Sequence, residues 1–131
     1  MALDPAELMA FVPVRDVARA TSFYGDVLGC TLESADDYGA MLTFGPTRLR
    51  LARVDATEPP PYTALGFVVP ALASAVHALT ASGIEFRRYE GMGQDDLGVW
   101  VAPSGDQVAW FADSEGNTLS LTQEGSFNLA G

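Results

Sequence analysis

The chain has no lysine, and it has only one histidine and one cysteine among its 131 residues. Its seven basic residues are therefore all arginines, and 17 acidic residues give a formal net charge of −10. So few cations exclude the basic surface through which proteins bind nucleic acid or an anionic membrane. A lone cysteine, Cys30, cannot form an internal disulfide, which agrees with a reducing, cytoplasmic location.

The chain also lacks a long apolar run. No segment approaches the roughly 18 residues that a membrane span needs, and the first residues include acids but no basic region typical of a signal peptide. Hydrophobic residues nevertheless make up 48% of the chain and charged residues 18%. This balance predicts a folded globular protein, and the length favours one compact domain or two small fused modules.

The first half of the chain has the pattern of one strand, one helix and three further strands. Bulky apolar residues over 9–14 predict a strand, and Asp16 is placed to cap a helix that begins at Val17. Apolar residues then recur at spacings of three and four up to Leu28, and Gly29 ends the helix. The following three strands are predicted over 30–34, 39–44 and 48–54.

The same pattern restarts after a proline-rich spacer over 58–61, which is stiff because proline fixes the backbone. A strand is predicted over 65–69, and a helix from Leu72 stops at Gly83. Further strands are predicted over 85–89, 99–102, 107–112 and 118–122. The first half therefore reads as a βαβββ module, and the second half repeats it with extra length around 91–105, where loops can absorb it.

An internal repeat supports this division. Val14 matches Val69 at an offset of 55, and Leu49 and Leu51 match Leu119 and Leu121 at an offset of 70. Because one copy would leave a sheet face uncovered, we expect both to pack as one domain spanning 1–131. Its parts are a first module over about 7–56, a linker over 57–63, a second module over about 64–124 and a tail over 125–131.

Two motifs carry a family resemblance over nearly the whole chain. Val14-Arg15-Asp16 leads into Ser22-Phe23-Tyr24-Gly25-Asp26-Val27-Leu28-Gly29, and Trp110 to Leu121 reads WFADSEGNTLSL. The chain resembles the vicinal oxygen chelate superfamily of glyoxalases, extradiol dioxygenases and bleomycin-resistance proteins. It departs from the family's second motif at Ser114 and Glu115, where proline and aspartate are usual.

The resemblance implies an α+β fold in which two curled, mixed sheets enclose a cavity and the helices lie outside. It also implies a homodimer. In the metalloenzyme members a divalent metal binds in the cavity, with ligands from the first and last strand of each module. The matching positions here are Met9, Arg50, Ala64 and Ser120. None is a good ligand for a catalytic divalent ion, so we expect no metal and no other cofactor.

Strand alternation predicts which side chains line the cavity instead. Leu49 and Leu51 are expected to face the helix, which turns Arg48 and Arg50 inward. The same reasoning turns Ser120 inward on the last strand and Met9, Phe11 and Pro13 inward on the first. The side of the sheet that Trp110 occupies stays open at this stage.

Arg50 is the main candidate anchor, because its guanidinium suits a carboxylate or phosphate. The alternative is a structural ion pair with Glu33 or Glu90. Trp100 and Trp110 either stack a planar ligand or serve core packing or a dimer interface. The full set of candidate ligand-binding residues is Arg50, Arg48, Ser120, Met9, Phe11, Trp110 and Trp100.

We therefore expect a protein that binds a small molecule in the cavity without a metal. The acidic chain favours a cationic ligand at long range, whereas Arg50 favours an anionic group locally, so the charge of the ligand stays open. The alternative is a lyase, isomerase or dioxygenase-like enzyme that is metal-independent or uses an atypical metal site. The polar segment over 91–96 is a candidate mobile lid.

Overall fold

The computed structural model of the protein describes residues 2–125. The predicted tail over 125–131 lies, apart from Gly125, outside the described residues. The chain divides into two compact units, Met1–Glu58 (unit 1) and Pro59–Gly131 (unit 2). No helix in the described part of the chain is long and apolar enough to cross a membrane.

Unit 1 is one four-stranded mixed sheet with a helical segment after its first strand. Strand β1 is followed by helix α1 and directly by a π-helical turn, and three antiparallel strands complete the unit. The sheet order is β1-β4-β3-β2, and β1 is parallel to β4. The bounds are β1 Met9–Val14, α1 Val17–Ser22, π-turn Phe23–Val27, β2 Thr31–Asp36, β3 Gly39–Phe44 and β4 Thr47–Arg53.

Unit 2 repeats this topology. Its sheet order is β5-β8-β7-β6, and β5 is parallel to β8 while the other neighbours are antiparallel. The bounds are β5 Thr63–Val68, α2 Leu72–Ala81, β6 Trp100–Val101, β7 Gln107–Ala112 and β8 Thr118–Gln123. The predicted α+β fold of two βαβββ modules is therefore confirmed.

The strand registers reproduce the sequence repeat. Phe11 pairs with Arg50 in unit 1, and Gly66 pairs with Ser120 in unit 2. These pairs are separated by the offsets of 55 and 70 that the sequence predicts. The two modules are thus equivalent at the level of individual residue pairs.

At the start of each helix, a side chain accepts a hydrogen bond from a backbone N–H group that has no partner within the helix. The Asp16 carboxylate accepts a hydrogen bond of 3.0 Å from the Arg19 backbone N–H, as predicted. Helix α2 has Ala71 at its N-cap, which offers no side-chain acceptor. The Gln123 side chain on β8 replaces it, because its Oε1 accepts a bond of 2.8 Å from the Leu72 backbone N–H.

The helix predicted from Val17 up to Leu28 forms, with Leu28 as its C-cap, but its second part is π-helical rather than α-helical. After Ser22 the chain widens into the π-turn, in which the Leu28 N–H donates to the Phe23 carbonyl at 3.2 Å. A π-turn accommodates one residue more than an α-helix of the same reach. The first helical segment has this extra residue relative to the second, since Gly29 and Gly83 are offset by 54 rather than 55.

The prediction of a strand over 85–89 is wrong. Only Phe86 forms an isolated bridge, with Phe111 on β7, and the Arg87 N–H donates to the Trp110 carbonyl at 2.8 Å. The chain then leaves the sheet, because the Tyr89 N–H donates to the Gln94 side chain instead of to β7. Pairing with β7 resumes at Trp100, so the segment 88–99 is an insertion in the outer strand.

Each sheet buries the face that carries its helix. In unit 1, Leu49 and Leu51 on β4 are 4% and 0% exposed, and the intervening Arg50 is only half-buried. In unit 2 the buried residues on the helix side include Phe111, Leu119 and Leu121, and Thr118 and Ser120 on the other side of β8 are buried as well, at 8% exposure each. The side of each sheet opposite its helix is called here its helix-free face.

Candidate functional site

The helix-free face of unit 1 collects four of the predicted site residues. Met9 and Phe11 on β1 are 41% and 63% exposed, and they pair with Arg48 and Arg50 on β4. On the next strand, Met41 pairs with Arg50. The face therefore consists of an arginine between apolar and aromatic side chains.

Arg50 lies in the middle of this face, against the backbone of β3. A Cβ atom built on Gly39 would lie 3.2 Å from the Cζ and Nη2 atoms of Arg50, so the guanidinium packs where Gly39 has no side chain. Among the described residues of unit 1, neither Glu33 nor any other carboxylate forms an ion pair with Arg50. The structure thus places a half-buried guanidinium with unused donors on the helix-free face.

Arg48 is in a different environment. Its side chain is 46% exposed, and its Nε lies 3.2 Å from Oε1 of Glu7, which is 65% exposed. Exposed pairs of this kind contribute little to stability because water and salt screen them. Arg48 is therefore already paired at the rim of the face that Arg50 occupies.

The helix-free face of unit 2 holds both tryptophans. Trp110 pairs with Ser120, and Ser120 pairs with Gly66, so these three residues lie on one side of the sheet. Trp100 pairs with Val108, two residues from Trp110 on the same side. This register settles the side of Trp110 that the sequence left open.

The aromatic side chains on this face contact one another. The ring centroids of Trp100 and Trp110 are 6.1 Å apart with an interplanar angle of 34°. Tyr89 meets Trp110 edge-to-face at 5.5 Å and 84°. Such contacts fix the orientation of Trp110, which remains only half-buried.

Ser120 lies beside this aromatic cluster and is 8% exposed. A Cβ on Gly66 would lie 2.7 Å from Ser120 Oγ, so the glycine keeps space open next to the hydroxyl. No hydrogen bond joins this hydroxyl to another described residue of unit 2. The hydroxyl is therefore a buried polar group that has no hydrogen-bond partner within the described part of unit 2.

Arg87 completes the face, and sequence reasoning missed it. Its guanidinium donates to Thr118 Oγ1 and, at 3.3 Å, to the Gly116 carbonyl. The alternation of Arg87 with Phe86, whose ring packs on Phe111 at 5.4 Å, was the available signal. A strand that places Phe86 on the helix side places the next residue on the helix-free face.

The family's metal positions do not fit a divalent cation. Met9, Arg50 and Ser120 offer a thioether, a guanidinium and a hydroxyl, and Ala64 offers no donor and falls in a bulge between Thr63 and Leu65. Within residues 2–125 there is no group of three or more His, Cys, Asp or Glu side chains that would hold an ion. A cationic guanidinium at one position opposes a cation directly.

The single histidine and the single cysteine of the sequence lie outside these faces. His77 is exposed on α2, and Cys30 is buried at 7% exposure. Burial raises the pKa of the Cys30 thiol, because an apolar environment disfavours the thiolate. Neither residue is placed to ligate a metal or attack a substrate on the helix-free faces.

The segment 88–99 has an extensive hydrogen-bond network of its own. Gln94 accepts from the Tyr89 N–H at 2.6 Å and donates to the Arg87 and Gly98 carbonyls at 2.9 and 2.7 Å. The Asp95 carboxylate accepts from the backbone N–H groups of Leu97 and Val99, both at 2.9 Å. These bonds favour a fixed insertion beside the aromatic cluster, whereas the predicted mobile lid stays a prediction.

Open clefts lie elsewhere in both units. One of about 830 Å³ in unit 1 is lined by residues that include Arg15, Asp36 and Arg53. Another, of about 550 Å³ in unit 2, lies beside His77 and Arg88. Neither cleft includes any of the predicted site residues.

The repeated sheet order and the helix that follows the first strand of each unit define the architectural class of the protein, a paired βαβββ protein. The sequence profile of the Glyoxalase/Bleomycin resistance protein/Dioxygenase superfamily matches residues 6–121. The chain therefore belongs to this superfamily. No curated protein shows significant sequence similarity to it.

Solved structures with the same fold are numerous. A superfamily member from Sphaerobacter thermophilus has a TM-score of 0.70 and 22% identity, covering 90% of this chain and 96% of that chain. A glyoxalase family protein from Enterococcus faecalis gives 0.69 and 20%, with 94% and 100% covered. TioX from Micromonospora sp. ML1 gives 0.68 and 15%, with 91% and 98% covered. At these identities the likeness establishes the fold alone.

Proposed function

We propose that the protein binds a small organic molecule through its helix-free faces and does so without a divalent metal. Membership of the superfamily supports a general small-molecule-binding role. The observation that carries the finer proposal is Arg50. This half-buried guanidinium occupies a family ligand position and has no carboxylate partner among the described residues of its unit.

The side chains on these faces favour binding over catalysis. General acid–base chemistry needs a titratable group within hydrogen-bond reach of the substrate. The helix-free positions of β1, β3 and β4 carry no histidine or carboxylate, and the same holds for β5, β7 and β8. The outer strand β2 carries Glu33, which lies at a register shift and is exposed. What they offer is hydrogen-bond donors, thioethers and aromatic rings, which hold a ligand rather than transfer its protons.

The test is a binding panel on chelator-treated protein. Organic acids, neutral aromatics and organic cations are screened by thermal shift, and hits are measured by calorimetry. We expect at least one class to bind with an affinity that added Mn²⁺, Ni²⁺ or Zn²⁺ does not change. Binding that requires an added metal, or a panel without any binder, contradicts the proposal.

Arg50→Gln tests the proposed anchor. Loss of a charge-assisted hydrogen bond is expected to weaken an organic acid by roughly tenfold or more. Arg19→Gln is the matched control, because it removes the same charge from an exposed position on α1. Equal weakening by both variants contradicts a local role for Arg50.

Homodimer formation stays part of this proposal, and sedimentation of the same samples tests it.

A further inference from the structure

The helix-free face of unit 2 holds a second arginine whose surroundings specify a ligand class. Arg87 uses one donor on each terminal nitrogen, toward Thr118 and Gly116. A guanidinium has five N–H donors, so three remain. Among the described residues of unit 2, no carboxylate forms an ion pair with Arg87. In a chain with 17 acidic residues, a half-buried arginine without an acidic partner is suited to an anion brought by a ligand.

Ser120 provides a second donor on the same face. Ser120 follows Thr118 by two residues on β8, and both point to the helix-free side. Two residues along a strand span roughly 6.6 Å. One carboxylate group bridges such a span when each oxygen accepts one hydrogen bond, from the Arg87 guanidinium and from Ser120 Oγ.

An aromatic surface adjoins this pair of donors. Trp110 is directly opposite Ser120 in the register, and Trp100 and Tyr89 hold its ring in place. A planar ring attached to a carboxylate at Ser120 would therefore lie over the Trp110 indole. Offset stacking on an indole is favourable for a flat aromatic group.

We propose that unit 2 contains a subsite for a planar aromatic carboxylate, in which Arg87 and Ser120 bind the carboxylate and Trp110 stacks the ring. The inference rests on the proposed small-molecule binding and adds the chemical class of the ligand. It also predicts the charge of the ligand, because the arginine at the subsite, rather than the net charge of −10, selects an anion.

The chain offers a site-specific signal for the test. Its only two tryptophans are Trp100 and Trp110, so tryptophan fluorescence, excited selectively over tyrosine, reports on this cluster alone. The probes are 2-naphthoate, its neutral analogue 2-naphthylmethanol, its cationic analogue 2-naphthylmethylammonium, and cyclohexanecarboxylate as a non-aromatic acid. Binding is followed by tryptophan quenching, with calorimetry as a second measurement.

We expect 2-naphthoate to bind about tenfold or more tightly than the alcohol, because a hydrogen bond to a charged group is lost in the neutral probe. The ammonium and the non-aromatic acid are expected to be weaker still. Arg87→Gln is expected to remove the preference for the carboxylate over the alcohol, while binding of the alcohol persists. Arg19→Gln, an exposed arginine in unit 1, is the control.

Two further variants keep the test decisive if Arg87→Gln disturbs the turn at Gly116. Ser120→Ala removes the second donor, and Gly66→Ala places a methyl group 2.7 Å from Ser120 Oγ. Both are expected to weaken 2-naphthoate several-fold without changing the alcohol. If the alcohol or the ammonium binds as tightly as 2-naphthoate, the ligand class is overturned while metal-independent binding stands. If no probe binds, this subsite is overturned, and the wider panel decides the proposed function separately.

Discussion

At the scale of single residues, two arginines on β4 show how position decides role. Arg48 and Arg50 are two residues apart and share a face, yet Arg48 is paired with Glu7 at the rim and Arg50 has no carboxylate partner in the described part of unit 1. Alternation alone places both on that face. The pairing depends on where the segment before β1 runs, which sequence periodicity does not specify.

Cys30 gives a residue-scale prediction with a defined pH dependence. Because burial raises the pKa of its thiol, the thiolate fraction in the folded protein is small and alkylation by iodoacetamide at neutral pH is slow. The folded state holds this proton more tightly than the unfolded state. The resulting stability is fully present at neutral pH and is lost as the pH rises above the ordinary pKa of a thiol.

The measurement is thiol labelling with and without denaturant, followed by unfolding curves at neutral and alkaline pH. As the chain has no other cysteine, Cys30→Ser is a complete blank for labelling. It also removes the thiol's contribution to the alkaline loss of stability. Labelling of the folded protein as fast as the denatured protein would refute the prediction.

At the scale of elements, the sequence predicts the βαβββ order well because apolar periodicity is strong where one face is buried. Two features lie outside that prediction. The extra residue of the first helix is accommodated by a π-turn over Phe23–Val27, and the outer strand of unit 2 is interrupted by 88–99. Both depend on hydrogen bonds between residues five positions apart, Leu28 to Phe23 and Tyr89 to Gln94, which apolar periodicity does not report. Arg87 was missed as a candidate site residue for the same reason, because it lies next to that interruption.

The start of α2 gives an element-scale prediction. Its first N–H group, on Leu72, is capped by Gln123 from β8 rather than by a neighbour in sequence. Gln123→Ala is expected to lower the free energy of unfolding by about 1 kcal/mol, the usual cost of losing a cap. Gln123→Glu keeps the acceptor and is expected to restore most of the loss.

Urea unfolding at neutral pH measures this effect. Gln107→Ala is the matched control, because Gln107 pairs with Gln123 across β7 and β8 but does not cap the helix. Equal destabilisation by the two alanine variants would show that the cap contributes nothing. A change confined to Gln123→Ala would establish a tertiary cap that links β8 to α2.

At the scale of the whole molecule, different residues determine the fold and the chemistry. The motifs and the repeat were sufficient for the superfamily, since a fold depends on distributed apolar positions. In the metalloenzymes that the chain resembles, the metal ligands occupy four positions, and here these carry Met9, Arg50, Ala64 and Ser120. The organisation of both modules as one domain stays a prediction, which coincident unfolding transitions by two probes would test.

The side chains at these four positions give a prediction about metal binding by the whole molecule. A metal bound at a thousandfold excess over its Kd would stabilise the protein by about 4 kcal/mol, which raises the unfolding midpoint by on the order of 10 °C. We expect no such rise when chelator-treated protein receives Zn²⁺, Mn²⁺ or Ni²⁺. Because a net charge of −10 attracts any cation weakly, Mg²⁺ and NaCl at matched ionic strength are the controls. A large, saturable rise with one metal, abolished by a substitution at Met9 or Ser120, would mean that these faces bind an ion and that Arg50 moves aside to admit it.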